Sequence, residues 1–289
     1  MLSASYVAPL LMPRLSCRRK RLTLCLSSQV GCDQGCTFCA TGRMGLLRSL
    51  SAGEMCEQAV LALAEARSPV SRVVWMGMGE PLANYDPLLA SVRWLTSSRA
   101  KGGLGLHASH VTVSTVGVIP RIARLAADLP GVRLALSLHA PTQALREMVV
   151  PSARAWRLPE LLAAASAFEA APGGSPPMME YVLLAGENDG EEAARGLGEL
   201  LQGRGWTLNL IPYNPGGATH HSAPSREAVE AFQRALRSGW GVNTTVRRTM
   251  GSEVGAACGQ LATAVDIEDL AAAPRAGERG GGGAVSPVC

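Results

Sequence analysis

The sequence predicts an α/β protein whose parallel sheet curves into a whole or partial barrel. Three observations predict this fold: short β-branched runs alternate with Ala- and Leu-rich segments of helical period, the runs are apolar along most of their length, and about six such repeats follow one another. Apolar runs are typical of parallel strands that helices cover on both faces. An open, doubly wound sheet is the alternative architecture.

The predicted strands are short and contain few charged residues, as buried parallel strands should. In chain order they are Leu22–Leu26, Val73–Met76, Val111–Ser114, Arg133–Ser137, Met179–Leu184, Leu208–Ile211 and Thr244–Arg247.

The clearest predicted helix is Ser51–Arg67, because Ser51 and Glu54 have the spacing of a capping box and small or apolar residues recur on one face. Helical periodicity predicts five more helices between the later strands. They are Asp86–Leu95, Ile119–Ala127, Pro159–Ala170, Gly190–Gln202 and Ser225–Arg237.

Composition limits the kind of protein this is. The chain has 289 residues, of which 47% are hydrophobic and 17% charged, so it can bury a full core and is not disordered throughout. The net charge of +4 permits a polyanionic partner without requiring one. The sequence lacks an uninterrupted apolar run of about eighteen residues, so we expect no association with membranes.

Three regions differ in composition. Residues 1–20 are predicted to be a basic arm of the kind found in transit peptides, since the first 32 residues contain no acid. Residues 21–268 are predicted to form the core, and residues 269–289 a flexible tail that includes Gly280–Gly283. Clustered cysteines predict a reducing compartment, namely the cytoplasm or, given the basic arm, an organellar matrix or stroma.

The strongest chemical signal is a group of three cysteines, Cys32, Cys36 and Cys39, in a segment predicted to lie directly after the first strand. Three thiolates at this spacing can hold three irons of a [4Fe-4S] cluster and leave the fourth iron open. S-adenosylmethionine could chelate that iron through its amino and carboxylate groups, so that one electron would generate a 5′-deoxyadenosyl radical. A zinc site lacks a nearby fourth ligand here, although it and plain structural cysteines remain alternatives.

Glycine-rich or polar segments follow several predicted strands. Because the carboxyl ends of parallel strands carry the site in barrels and in open sheets, we expect these segments to converge. They are Gly77–Pro81, Thr115–Gly117, Leu138–Ala140 and Pro212–Pro215.

Cys-x3-Cys-x2-Cys after a strand resembles the radical S-adenosylmethionine superfamily, and the string from Thr23 through Cys25 to Cys32 resembles its RlmN/Cfr branch. The resemblance covers about Leu22 to Ala264. Six further ordered motifs carry it: Met76-Gly-Met-Gly-Glu-Pro81, Val111-Thr-Val-Ser-Thr115, Leu136-Ser-Leu-His-Ala-Pro141, Glu180-Tyr-Val-Leu183, Leu210-Ile-Pro-Tyr-Asn-Pro215 and Ala256-Ala-Cys-Gly-Gln-Leu261.

The resemblance implies a partial (β/α)6 barrel of the TIM type, with Cys32, Cys36 and Cys39 holding a [4Fe-4S] cluster. It also implies an S-adenosyl-L-methionine site with side chains suited to ammonium, carboxylate and ribose groups. The residues implied for that site are Gly79, Glu80, Ser114, Ser137, Leu138, His139 and Asn214.

The reaction implied by the resemblance is methylation of an adenine at C2 in RNA. One methyl group is first transferred to Cys258, and Cys25 later helps to release the RNA, after which the two thiols form a disulfide. The implied substrates are large-subunit ribosomal RNA (adenosine 2503 of the 23S type) and, as a further candidate, transfer RNA (adenosine 37). We expect a monomer that receives electrons from a reductant protein such as flavodoxin or ferredoxin.

Two departures from the branch keep other functions open. The branch has a helical accessory domain at its amino end and a glutamate before the first parallel strand, where this sequence has Ala8. These departures favour an iron–sulfur RNA-binding protein without turnover as an alternative. Methylation of adenine at C8 is a second alternative, because no motif in the sequence distinguishes it from methylation at C2.

Overall fold

The computed structural model describes residues 14–18, 21–66, 69–214 and 220–247. Ten strands occur in this part of the chain. They are β1 (Arg14–Arg18), β2 (Arg21–Leu26), β3 (Gln29–Cys32), β4 (Gly45–Ser49), β5 (Val70–Trp75), β6 (Val111–Thr115), β7 (Arg133–Ser137), β8 (Met178–Leu183), β9 (Thr207–Pro212) and β10 (Asn243–Val246).

Eight α-helices lie between these strands in the described residues, along with short 3-10 turns and a π-helical turn, Ala235–Gly239, that continues the last helix. The helices are α1 (Ala40–Arg43), α2 (Ala52–Glu65), α3 (Tyr85–Thr96), α4 (Ile119–Asp128), α5 (Gln143–Val149), α6 (Leu158–Ala170), α7 (Glu191–Leu201) and α8 (Arg226–Arg234).

The main sheet has the order β1-β2-β5-β6-β7-β8-β9-β10, and every pair in it is parallel except β1 with β2. From β2 onward each new strand is added on the same side of the previous one. A doubly wound sheet would reverse its strand order at a switch point, so the order excludes that alternative for the described sheet. The prediction of a partial barrel is confirmed.

All seven predicted strands and all six predicted helices are present, with ends that shift by up to three residues. Residues 14–18, within the segment predicted to be a basic arm, form β1 and extend the sheet. The tail, residues 269–289, and the rest of the arm lie outside the described residues. The cysteine motif does not directly follow the first parallel strand, because the hairpin β3–β4 intervenes and Cys32 ends β3.

The two faces of the sheet differ in polarity. Along β8, Met179, Tyr181 and Leu183 belong to the main apolar core, whereas Glu180 and Val182 face a cavity on the concave side. This period-two alternation recurs along β9, where Leu208 and Leu210 enter the core. The outer face of the sheet therefore packs against helices, while its inner face, which carries both polar and apolar side chains, lines the cavity.

The predicted capping box at the start of α2 is confirmed. Ser51 Oγ accepts a hydrogen bond from the Glu54 N–H at 3.2 Å, and the Glu54 carboxylate accepts one from the Ser51 N–H at 2.9 Å. Arg48, on β4, forms a bidentate pair with the same carboxylate. The start of α2 is thereby tied to the hairpin that delivers Cys32.

None of the helices described is both long and apolar enough to cross a lipid bilayer.

Candidate cofactor site

A cleft opens at the carboxyl ends of the parallel strands. The predicted convergence of the segments after the strands is seen directly. The residues of the predicted site that line the cleft are Cys32, Cys36, Cys39, Gly79, Glu80, Ser114, Ser137, His139 and Asn214.

Two of the predicted site residues that the structure describes do not line the cleft. The Leu138 side chain is fully buried in the main core, so Leu138 offers the site only its backbone. Cys25 lies on β2, half-buried, next to Val74 of β5. Cys258 lies outside the described residues.

The three cysteines of the motif share one wall of the cleft and stand close enough to influence one another. Burial, with a smaller contribution from the neighbouring Cys39, raises the pKa of the Cys32 thiol to about 12. Burial likewise raises the pKa of Cys36, which Arg146 partly opposes. Bound iron deprotonates a coordinating thiol outright. The positive charge of a bound cluster would therefore stabilise three neighbouring thiolates that otherwise repel one another. The donor set therefore fits three irons of a cubane cluster.

The loop that carries the cysteines is fixed by contacts at Thr37. Its N–H donates to Val149 O at 3.1 Å, and its Oγ1 lies 2.9 Å from Nε2 of His221. The other ring nitrogen of His221 lies 2.5 Å from a Glu187 carboxylate oxygen, and the His221 side chain is 1% exposed. The loops after β8 and β9 thus brace the cysteine loop, a connection that no local sequence signal indicated.

Gly79 is a position where only glycine fits. Its φ is +95°, and a Cβ there would lie 2.5 Å from Gln29 Cβ. This close approach lets Gln29 Oε1 accept a hydrogen bond from the Glu80 N–H at 2.8 Å. The glycine-rich turn after β5 is therefore pressed against the strand that ends at Cys32.

The Glu80 carboxylate is buried and fully engaged with the backbone. One oxygen accepts the Leu82 N–H at 2.9 Å, and the other accepts the Val116 N–H at 2.8 Å. Burial raises the pKa of Glu80 to about 7, against the lowering effect of these amides. Glu80 therefore joins the turns after β5 and β6 while it lines the cleft.

His139 has a left-handed backbone (φ +57°), which is unusual for a residue with a side chain. Its carbonyl accepts a hydrogen bond from Asn188 Nδ2, and its Nδ1 accepts one from the Val182 N–H at 3.1 Å. Burial lowers the pKa of His139 to about 3, so the ring is neutral at pH 7. Because Nδ1 is an acceptor, the ring proton is on Nε2, which makes Nε2–H a donor at the cleft.

Asn188 is fully buried and holds this strained segment. Besides its contact with His139, its Nδ2 donates to Val182 O at 2.8 Å and its Oδ1 accepts from the Leu184 N–H at 2.7 Å. The sequence analysis missed Asn188, because its partners are backbone groups that carry no sequence signal.

Arg146, on α5, is a second buried residue that the sequence analysis missed. Its guanidinium donates to the carbonyls of Leu138, Ser137 and Val116, which follow or end β7 and β6. Burial lowers the pKa of Arg146 to about 10, so it stays charged at pH 7. A cation thus lies behind the strand ends, near the cysteine wall.

A curled parallel sheet with three cysteines and a glycine-rich turn at its carboxyl edge defines a cluster-binding α/β barrel protein. Residues 26–195 match the family model described as the radical SAM superfamily. The chain belongs to the radical SAM superfamily and, within it, to the RlmN family, as its relatives show.

Two curated relatives are both named probable dual-specificity RNA methyltransferase RlmN. The protein of Salinispora arenicola is 47% identical over 84% of this chain and 66% of its own length. That of Desulforudis audaxviator is 45% identical over 83% of this chain and 74% of its own length. The chain spans about two thirds of the length of the curated relatives it matches.

A solved structure has the same fold. The radical SAM methyltransferase from Sphaerobacter thermophilus is 43% identical and superposes with a TM-score of 0.80, over 85% of this chain and 72% of that one.

Proposed function

We propose that this chain methylates C2 of an adenine in RNA, using a [4Fe-4S] cluster and S-adenosylmethionine. The observation that carries the proposal is the set of three cysteines, Cys32, Cys36 and Cys39, on one wall of the cleft. Three ligands leave one iron for a small molecule, and the names of the relatives support RNA methylation.

In this proposal the cluster and S-adenosylmethionine, when bound, supply a 5′-deoxyadenosyl radical. The chain's own residues bind and orient the groups. The backbone of Gly79 and the Nε2–H of His139 offer polar contacts beside the cysteines. The apolar side chains of Val182 and Ile211 line the same cleft and limit access of water.

Cys258 is proposed as the methyl carrier and Cys25 as the thiol that releases the product. A thiolate at Cys258 would take a methyl group from the sulfonium of one S-adenosylmethionine, which leaves as S-adenosylhomocysteine. After the methyl carbon has joined the adenine, the Cys25 thiolate would attack the Cys258 sulfur and break its bond to that carbon. The carbon would keep the electron pair and take up a proton to become the methyl group, and a Cys25–Cys258 disulfide would remain. A reductant must then restore both thiols.

The substrate and partners follow the same reasoning. We propose large-subunit ribosomal RNA as the substrate, with transfer RNA as a second one, and flavodoxin or ferredoxin as the electron donor. We also propose that the chain acts as a monomer in the cytoplasm.

The test is anaerobic reconstitution with iron, sulfide, reductant, S-adenosylmethionine and unmodified ribosomal RNA, followed by mass spectrometry of the digested nucleosides. We expect 2-methyladenosine from the wild type and from Cys56→Ala, a control on helix α2 outside the cleft. Cys258→Ala should keep the cluster but form no methylated product. Formation of 8-methyladenosine would refute C2 specificity, and full product from Cys258→Ala would refute the carrier role.

A further inference from the structure

One carboxylate in the cleft has an unused oxygen. Glu180 is 3% exposed and lines the cleft. Its Oε2 accepts a hydrogen bond from Asn209 Nδ2 at 2.8 Å. Its Oε1 is buried and has no hydrogen-bond partner within the described part of the chain. Buried polar atoms are nearly always paired, and an unpaired one costs about 1–3 kcal/mol, so this oxygen points to a ligand.

The carboxylate is held in place by a row of polar side chains across four strands. Ser137, Glu180, Asn209 and Thr245 are register partners on β7, β8, β9 and β10, so their side chains share one face of the sheet. Thr245 Oγ1 donates to Asn209 Oδ1 at 2.9 Å, which turns the amide NH2 toward Glu180. Oε1 is thereby the oxygen that remains for a ligand.

The surroundings of this row match a nucleoside. Register partners on neighbouring strands place their side chains ~5 Å apart. Two adjacent hydroxyl groups of a ligand could therefore each form a hydrogen bond, one with Glu180 and one with Ser137. Ser137 lines the same cleft. Two residues further along β8 and β9, Val182 and Ile211 add an apolar surface on the same side. A polar row beside an apolar one suits a ribose with its attached base.

A hydroxyl group is the best partner for this oxygen. Burial raises the pKa of Glu180, and Arg247 and Asn209 oppose that shift. A hydroxyl both donates and accepts hydrogen bonds, so it can pair with either protonation state of the carboxyl. An ammonium group only donates, so it could not accept the proton of the neutral carboxyl and would lose the charge attraction that the ionised state offers.

We propose that Glu180 Oε1, together with Ser137, binds a ribose hydroxyl of a nucleoside in this cleft. The inference rests on the proposed function, which offers two sources of that ribose: S-adenosylmethionine and the target adenosine of the RNA. In both cases Glu180 touches the ligand and selects ribose over deoxyribose.

The test is a set of binding measurements with the cluster-loaded protein. Wild type, Glu180→Gln and Glu180→Ala are titrated with S-adenosylmethionine and its 2′-deoxy and 3′-deoxy forms. A second series uses an RNA hairpin with adenosine or 2′-deoxyadenosine at the target. Glu199→Gln, an exposed glutamate on helix α7, is the matched control, and iron content together with thermal unfolding confirms that each variant is folded.

In the wild type and the control, we expect removal of the bound hydroxyl to weaken binding by roughly tenfold to a hundredfold. In Glu180→Ala that penalty should vanish, and in Glu180→Gln it should shrink. Loss of the penalty in the S-adenosylmethionine series assigns the ribose to the cofactor, and loss in the RNA series assigns it to the substrate. Equal penalties in wild type and variants, or no penalty in either series, would overturn the proposal.

The wild type itself separates this inference from the proposed function. Failure to bind both S-adenosylmethionine and RNA would refute the proposed function and the ribose site together. Normal binding of both ligands with no dependence on Glu180 would refute the ribose site alone.

Discussion

Single buried polar residues, rather than exposed ones, shape this cleft. Glu80, Asn188 and Arg146 use their side chains to pair backbone groups at the ends of strands. Each of these groups would otherwise lie unpaired in the interior, at a cost of about 1–3 kcal/mol. The sequence analysis assigned Glu80 to the ligand, whereas the structure shows that both its oxygens also cap backbone N–H groups.

The Glu80 carboxyl makes stability depend on pH. Its pKa is raised from 4.5 to about 7 by burial, so the unfolded chain releases this proton at lower pH than the folded chain does. The stability that Glu80 contributes is present below about pH 4.5 and is lost as pH rises to about 7. We expect the difference in unfolding free energy, wild type minus Glu80→Gln, to fall by roughly 3 kcal/mol over that range in urea titrations. A difference that does not change with pH would contradict the account of Glu80.

We expect loss of the amide donors of Asn188 to destabilise the folded protein. Asn188→Asp replaces the NH2 that donates to His139 O and Val182 O by an oxygen that repels both carbonyls. We expect a loss of at least ~3 kcal/mol in unfolding free energy, measured by chemical denaturation. Asn243→Asp, the same change at an exposed residue, should cost less than ~0.5 kcal/mol. Similar losses in both variants would show that Asn188 does not hold the segment at His139.

Among the strands and helices, those that a local sequence pattern specifies could be predicted, and those that depend on distant contacts could not. The parallel strands were located because buried strands read as apolar runs, and α2 because its cap is local. Helix α5 was missed because its seven residues, in the segment between Pro141 and Pro159, are too few to show a helical period in the sequence. The hairpin β3–β4 was missed because the residues of β3 were interpreted only as part of a sequence motif, and a motif does not indicate which strands pair.

The brace between three loops gives an element-scale prediction. His221→Ala removes the link from Glu187 to Thr37, so the cysteine loop should open more often. In the protein without its cluster, we expect alkylation of Cys36 to become at least ~10-fold faster. The reason is that buried Cys36 reacts only when the loop opens, so the alkylation rate depends on the free energy of that opening.

His220→Ala serves as the control for that measurement, because His220 is an exposed neighbour of His221. It should leave the alkylation rate of Cys36 near that of the wild type. Equal acceleration by both variants would mean that the brace does not hold the loop.

At the scale of the whole molecule, one open sheet provides both the core and the site. The outer face packs against helices, and the inner face carries Ser114, Ser137 and Glu180 toward the cleft. The cysteine wall, the glycine-rich turn and the ends of the strands therefore meet at one edge, as the fold class predicts. Motifs predicted several of the residues that line the cleft, such as the three cysteines and Gly79, while the residues that hold them in place depend on contacts distant in sequence.

We propose that Cys32, Cys36 and Cys39 hold a [4Fe-4S] cluster whose fourth iron takes S-adenosylmethionine. The most direct test is electron paramagnetic resonance of the reduced, anaerobically reconstituted protein before and after addition of S-adenosylmethionine, with metal analysis of the same sample. We predict a [4Fe-4S]+ signal that changes on addition, and loss of that signal in Cys39→Ala. Zinc in place of iron, or a cluster signal that S-adenosylmethionine leaves unchanged, would contradict the account.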